Sequence, residues 1–227
     1  LSIVTDTPQR SAKAEQTRQS IIDAAMHLFR TKGYDKATMR AIADEAGVSI
    51  GNAYYYFSSK EHLIQAYYDG INADHAEAAA PVLASATTFA DRFSGVLLAW
   101  VDVAEPYHGF AGKFFKNAAE PSSPLSPFSE DSASTRLAAI DLHRRVVEGS
   151  DIKLAKALRA ELPELLWLVQ MGVVLFWVHD TSEQQVRTRQ LITQAVPIVD
   201  RALRLTRLPG VRGLVDDVVG LVRAIKP

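Results

Sequence analysis

The chain has 227 residues, 48% hydrophobic and 22% charged, with a formal net charge of -1; that is enough apolar material for a sizeable core, and it excludes a disordered chain and a uniformly basic nucleic-acid coat. Cysteine is absent, which excludes disulfide scaffolds, thiol catalysis and thiolate metal sites and points to a reducing, cytoplasmic setting. The longest apolar run, residues 165–178, is broken by Gln170 and is shorter than the roughly 18–20 residues of a bilayer span, and residues 1–20 hold charges without an apolar stretch, so neither a membrane helix nor a secretory leader is expected.

Residues 1–60 carry eight Lys or Arg against six acids, a mildly basic start on an acidic body. After a flexible arm over 1–15, residues 12–32 place Ile21, Ile22, Ala25, Leu28 and Phe29 on one face of an amphipathic helix that Gly33 stops. Thr38 is expected to cap a short second helix ending before Gly47, with Met39, Ile42, Ala43 and Ala46 inward. Ser49 caps a third over about 50–56, and Ser58 with Glu61 has the spacing of a capping box opening a fourth that runs to about Asn72 or beyond. Past Pro81 the pattern predicts longer helices over about 88–104, 106–117, 132–148, 151–162, 163–179, 182–205 and 214–224, with Pro197 kinking one of them. Residues 118–135, with three prolines and six serines, are expected to form a mobile loop. The expected fold class is all-α: a helical module over 16–72 and a larger helical domain over 73–227.

Two short helices joined through Gly47, Val48 and Ser49 have the spacing of a helix-turn-helix, in which the first helix braces a second that enters a DNA major groove. Ala43 is small where the helices cross, Gly47 can adopt the left-handed turn conformation, and Val48 plugs the gap beneath it. The next stretch, Ile50 to Phe57, offers an amide, phenols and a bare glycine backbone to an outside partner, while Ala53 and Phe57 belong to the core. Arg40 and Lys60 add positive charge near the helix starts at Thr38 and Ser58, where phosphates could sit.

The ordered set Leu28-Phe29, Gly33-Tyr34, Thr38, Ile42-Ala43, Ala46-Gly47-Val48-Ser49, Gly51, Tyr54, Tyr56-Phe57 and Ser59-Lys60-Glu61-His62-Leu63 resembles the N-terminal signature of the TetR family of bacterial transcriptional regulators, over about residues 17–68. It departs at Tyr56, often histidine in the family, and at Met39, where a second hydroxyl is common. The resemblance implies that Thr38, Arg40, Tyr54, Tyr55, Tyr56 and Lys60 grip the DNA backbone while Ser49, Ile50, Gly51 and Asn52 face the bases. Among these, Asn52 is the side chain best suited to direct readout, because an amide pairs bidentately with adenine. Tyr54 packing the module, and Lys60 as a solvated lysine, are the alternatives.

Motifs of this kind read palindromic half-sites as symmetric dimers, so the expected partners are double-stranded DNA carrying a palindromic operator and a second copy of the chain. The 163–179 segment is apolar nearly all round and must be covered on all sides. Leu168, Met171, Gly172 and Leu175, with Leu191, Ala195, Ile198 and Val199 of the next helix, are the candidate dimer residues, in the four-helix bundle the resemblance implies; a purely internal core helix is the alternative. The resemblance also implies a small-molecule effector held in the body, for which Trp100, Tyr107, Phe110, Phe114, His143 and Trp167 are candidate walls around a largely apolar ligand. No catalytic, metal or cofactor constellation is expected: the six histidines fall into no His-x-x-x-His pattern, and a Gly-rich phosphate loop is missing. The expectation is a non-enzymatic repressor released by its ligand; the alternative is a DNA-binding protein of the same fold gated by a protein partner, or not gated.

Overall fold

The computed structural model describes residues 7–120 and 123–225, and among them every regular element is helical. The α-helices run α1 Thr7–Lys32, α2 Met39–Glu45, α3 Ile50–Tyr56, α4 Lys60–Ser85, α5 Phe89–Ala104, α6 His108–Ala118, α7 Ala133–Glu148, α8 Lys156–His179, α9 Val186–Leu205 and α10 Arg212–Ile225, with short 3-10 turns before α6, α9 and α10. They cluster into two compact units. The first holds the chain up to Gly70 together with Lys113–Ser132; the second holds Ile71–Gly112 and the chain from Ala133 onward.

In the first unit the apolar face of α1 closes over α2, and Ile21, Ala25, Leu28, Phe29, Ile42, Ala43, Ala53, Leu63 and Ile64 are fully or almost fully buried. The arm expected over 1–15 is corrected at residues 7–15, which form the opening turns of α1; residues 1–6 lie outside the described residues. The loop expected over 118–135 lies between α6 and α7, with residues 133–135 already in α7. Its described part is a series of turns in which Ser126 N–H donates to the Ser123 carbonyl at 3.0 Å, Ser129 N–H to the Ser126 carbonyl at 3.0 Å, and Ser129 Oγ to the Pro124 carbonyl at 2.8 Å. Leu125, Ser126 and Ser132 are buried, and Ser132 Oγ donates to Gln65 Oε1 at 3.3 Å, which ties this segment to the first unit.

The second unit is organised around Arg92 of α5, a guanidinium only 5% exposed. Its Nε donates to the Val146 carbonyl at 3.0 Å and Nη2 to the Arg145 carbonyl at 2.6 Å, both at the end of α7. Nη1 donates to the Leu83 and Ala86 carbonyls at the end of α4, at 2.8 and 2.7 Å. All four lie at helix C-termini, where positive charge is favoured. Gly149 is bare for a related reason, since a Cβ there would overlap the guanidinium. Around this clasp Phe89, Phe93, Val96, Leu97, Trp100, Val101, Leu142, Val146, Leu162, Leu166, Val173, Trp177, Ile192 and Val196 make one continuous core.

Helix α8 corrects the sequence reading at two points. The segments expected over 151–162 and 163–179 are one helix that starts only at Lys156 and runs through Pro163, which is buried. The fused helix is 24 residues long and apolar enough to cross a membrane by length and composition, unlike the 165–178 run read alone. Yet Leu162, Leu166, Val173 and Trp177 belong to the core, and Gln170 and Glu161 are buried beside them. Only 39% of its most apolar stretch is buried within the chain.

Asp180 closes the turn from α8 to α9. Its Oδ1 accepts from the N–H and Oγ of Ser182 at 3.0 and 2.5 Å, and its Oδ2 from the N–H and Oγ1 of Thr188 at 2.8 and 2.7 Å. Burial alone would raise the carboxyl pKa, but these four donors favour the charged form and hold it at about 2.

Replacing Arg92 with Met removes four hydrogen bonds to carbonyls at two helix ends and is expected to cost more than about 3 kcal/mol, read as a lowered urea midpoint by tryptophan fluorescence; Gly149→Ala should shift it in the same direction. Because the native Asp180 carboxyl titrates below its ordinary value, its contribution is complete above about pH 4 and is lost as pH falls towards 2. The stability difference between wild type and Asp180→Asn is therefore expected to be largest near neutral pH and to shrink in parallel urea titrations at successively lower pH.

Candidate nucleic-acid interface

The α2–turn–α3 segment is built from local chemistry. Thr38 precedes α2 in an extended conformation and its Oγ1 accepts from the Ala41 N–H at 3.2 Å; Ser49 does the same for α3, accepting from the Asn52 N–H at 3.1 Å. Between them Gly47 takes φ +68°, and Val48 N–H returns to the Ala43 carbonyl at 3.0 Å. Ala43 and Ala53 are fully buried, so the two helices meet through methyl groups.

Apart from Ala53, no residue of α3 is buried. Ile50 is 40% exposed, Tyr54 50% and Tyr55 82%, and Gly51 and Asn52 are also exposed. Tyr56 is half-buried, its ring edge-on to Tyr55 with centroids 5.2 Å apart. Thr38, Arg40 and Ser49 are exposed beside this face. Short helix, small buried contact and wide polar-aromatic exposure together make a surface shaped for an outside partner.

Lys60 has a structural role that the sequence did not disclose. Its Nζ donates to the Tyr34 carbonyl at 2.9 Å and lies 4.2 Å from the centre of the Tyr34 ring, while Tyr34 Oη donates to Glu61 Oε1 at 2.6 Å. The ammonium keeps two further N–H donors. Burial and the neighbouring Glu61 carboxylate push the Tyr34 phenol above its ordinary pKa. For Glu61 burial acts upward, but the hydrogen bonds from Tyr34, Ser59 and the backbone, with the charge of Lys60, together outweigh it and lower the pKa. The capping box expected from Ser58 is displaced by one residue: Ser59 Oγ accepts from the His62 N–H at 3.4 Å, and Ser58 Oγ pairs with His62 Nδ1 at 2.6 Å.

All the expected effector walls except Phe114 belong to the second unit. Trp100 is buried edge-on against Trp177 with centroids 5.1 Å apart, and His108 packs on the same Trp177 at 4.7 Å while its Nε2 bonds the Trp177 carbonyl at 2.8 Å. His143 is fully buried, edge-on to Phe93 at 5.9 Å. Trp167 is buried and Tyr107 half-buried; the side chains of Phe110 and Phe114 lie outside the described residues. The sequence reading missed Gln170, buried at the middle of α8, and His75, whose Nε2 bonds the Val96 carbonyl at 2.8 Å. The one signal available was that Gln170 interrupts an otherwise apolar run.

Of the residues proposed for pairing with a second copy, Leu175, Leu191 and Ile198 are 46%, 36% and 60% exposed, Gly172 is exposed, and Leu168, Met171, Ala195 and Val199 are half-buried. Val169 and Phe176 of α8 are exposed as well.

Residues 21–67 match the family described as bacterial regulatory proteins, tetR family, and residues 92–221 match tetracyclin repressor-like, C-terminal domain. The HTH-type transcriptional regulator SrpR of Pseudomonas putida is 46% identical over 56 residues, 25% of this chain and 26% of that protein, so the chain spans about a quarter of that curated relative's length. Among solved structures, a TetR transcriptional regulator from Nitrosomonas europaea is similar with a TM-score of 0.60 at 18% identity, covering 80% of this chain and 96% of that one. The regulator FadR of Bacillus subtilis, solved with stearoyl-CoA, has a TM-score of 0.62 at 18% identity, covering 78% and 96%.

Gly47 has open space around its Cα hydrogen but a positive φ, so Gly47→Ala is expected to destabilise the module by about 1–2 kcal/mol through backbone strain alone, without altering the surface of α3. Thermal unfolding of the variant, compared with Gly51→Ala at a helical glycine with equally open space, checks this.

Proposed function

The chain belongs to the TetR family of bacterial regulatory proteins, and from that premise we propose that it is a transcriptional repressor which binds a palindromic operator as a homodimer and is released by a small, largely apolar ligand. The observation that carries the DNA-binding half is α3, a capped helix whose only buried residue is Ala53 and whose outer face is otherwise given to Ile50, Gly51, Asn52, Tyr54 and Tyr55. In this reading Ser49, Ile50, Gly51 and Asn52 meet base edges. Thr38, Arg40, Tyr54, Tyr55, Tyr56 and Lys60 meet phosphates and sugars, Lys60 through the donors left after it has bound the Tyr34 carbonyl.

Dimerisation follows from the requirement that apolar helix faces be covered. Val169, Gly172, Leu175 and Phe176 on α8 and Leu191, Ile198 and Leu205 on α9 leave a broad apolar surface exposed, larger than scattered single residues account for. A second copy presenting the same surface covers it with two-fold symmetry, and the Asp180 turn holds the two helices in fixed register for that contact. The second unit also holds the effector, as stearoyl-CoA accompanies FadR of Bacillus subtilis. Ligand and operator oppose one another because each favours a different arrangement of the dimer, and the opposition is reciprocal.

Selection of randomised duplex DNA by the purified chain is expected to return a palindrome with half-sites about 34–36 Å apart. Asn52→Ala should lose about 1–3 kcal/mol at one base position, whereas Arg40→Ala should weaken every sequence alike and reduce the salt slope by about one. Equal losses on all sequences for both variants would refute the division into base and backbone readers. Phe176→Asp is expected to give a monomer by analytical ultracentrifugation that loses operator binding with its helix content intact. Release of the operator by a member of a chemically broad small-molecule library supports the ligand-gated repressor; no release by any member favours an ungated protein or one controlled by a protein partner.

A further inference from the structure

The core of the second unit contains buried polar atoms that the chain itself leaves unpaired. His143 Nδ1 bonds the Ala139 carbonyl at 2.8 Å; a carbonyl can only accept, so Nδ1 carries the proton. His143 Nε2, in a residue with 0% exposure, then presents a bare lone pair with no partner. Burial, together with the nearby His75, lowers the His143 pKa to about 4 against the pull of the Ala139 hydrogen bond, so the ring is neutral near pH 7. Gln170 Oε1, in a residue 2% exposed, is a second acceptor without a partner. The aromatic rings of Phe89, Phe93, Trp100 and Trp177 line the same core.

Trp177 Nε1, a buried donor, is likewise without a partner and can be met by a hydroxyl oxygen, while the two acceptors ask for donors. A carboxylate, ester or thioester offers oxygens that only accept, so it cannot satisfy either atom. An anion would also need a free cation, and Arg92, the buried cation among the described residues, already has its guanidinium on four carbonyls. From these pairings we infer that the effector is a neutral apolar alcohol or phenol whose hydroxyl donates to His143 Nε2 or Gln170 Oε1 while its apolar body packs among the aromatic rings. The inference rests on the reading of the second unit as an effector-binding body and narrows it to one chemical class.

The test uses the purified full chain and three probes of matched shape: 4-butylphenol, which donates; 4-butylanisole, which lacks the donor; and 4-butylbenzoic acid, anionic at pH 7.5. Calorimetric titration is expected to show the phenol binding at least tenfold more tightly than the anisole, with the benzoate weakest. His143→Phe and Gln170→Met, made separately, should lower that preference. Should either variant fail to fold, the 15N signal of His143 Nε2 in the wild-type protein reads the same contact, moving with the phenol and not with the anisole. Equal binding of phenol and anisole, or tighter binding of the benzoate, overturns the donor inference and leaves the effector reading intact. No binding by any probe also overturns it and assigns the two acceptors to buried water. The effector reading fails separately, when no compound of the broad library releases the operator.

Discussion

The second unit depends on one buried cation. Arg92 reaches the last carbonyls of α4 and α7 from the side of α5, so three helices converge on a single planar group. A guanidinium suits this because its five N–H donors fan out in a fixed plane and its charge is weakly hydrated. Its counter-charge comes from the partial negative charge at two helix ends, and all four acceptors are backbone carbonyls. Burial and the neighbouring Arg145 lower its pKa without bringing it near neutrality. The same geometry fixes Gly149, where any side chain would collide with the guanidinium, and so sets the point at which the chain leaves α7.

With α5 and α7 held in this way, α8 has a fixed bed on one side, and the consequence appears on its other side. An α-helix that is apolar around most of its circumference cannot satisfy itself inside one small domain. One face of α8 enters the core through Leu162, Leu166, Val173 and Trp177, while Val169, Leu175 and Phe176 face outward. Asp180 then turns the chain so that α9 lies alongside with Leu191 and Ile198 also exposed. Two unusual backbone positions, Gln184 and Gln185 at φ 50°, sit in that turn. The carboxylate's four hydrogen bonds offset the strain they introduce.

Much of the first unit was legible in the sequence because its structure is decided locally. Thr38, Gly47 and Ser49 act within three or four residues of themselves, and each took the conformation its chemistry favours. Where two neighbouring residues offered the same local chemistry, as Ser58 and Ser59 do, spacing alone could not choose between them. Pro163 was misleading for the opposite reason: its local preference for a helix start lost to the burial of a continuous apolar helix. The return of residues 113–132 to the first unit depends on contacts such as Ser132 with Gln65, 67 positions apart, which no periodicity encodes. Depth was likewise invisible. His143 and Gln170 look in sequence like polar residues on helices, and only the packing of α5, α7 and α8 shows that they are buried.

Those two acceptors give the regulatory argument a magnitude. A buried polar group without a partner costs about 1–3 kcal/mol, and coupling between an effector and an operator is typically worth about 1–3 kcal/mol. In the repressor proposed above, a ligand hydroxyl that pairs with one or both acceptors would therefore recover free energy of the size that regulation needs. Affinity alone would not regulate anything, since a ligand that binds two conformations equally shifts neither. The acceptors matter because their cost depends on packing: a conformation that lets solvent reach them gains little from the ligand, and one that seals them gains most. In that proposal ligand binding would favour the sealed core, and operator release would follow from the sealed core and the operator-bound dimer being different conformations.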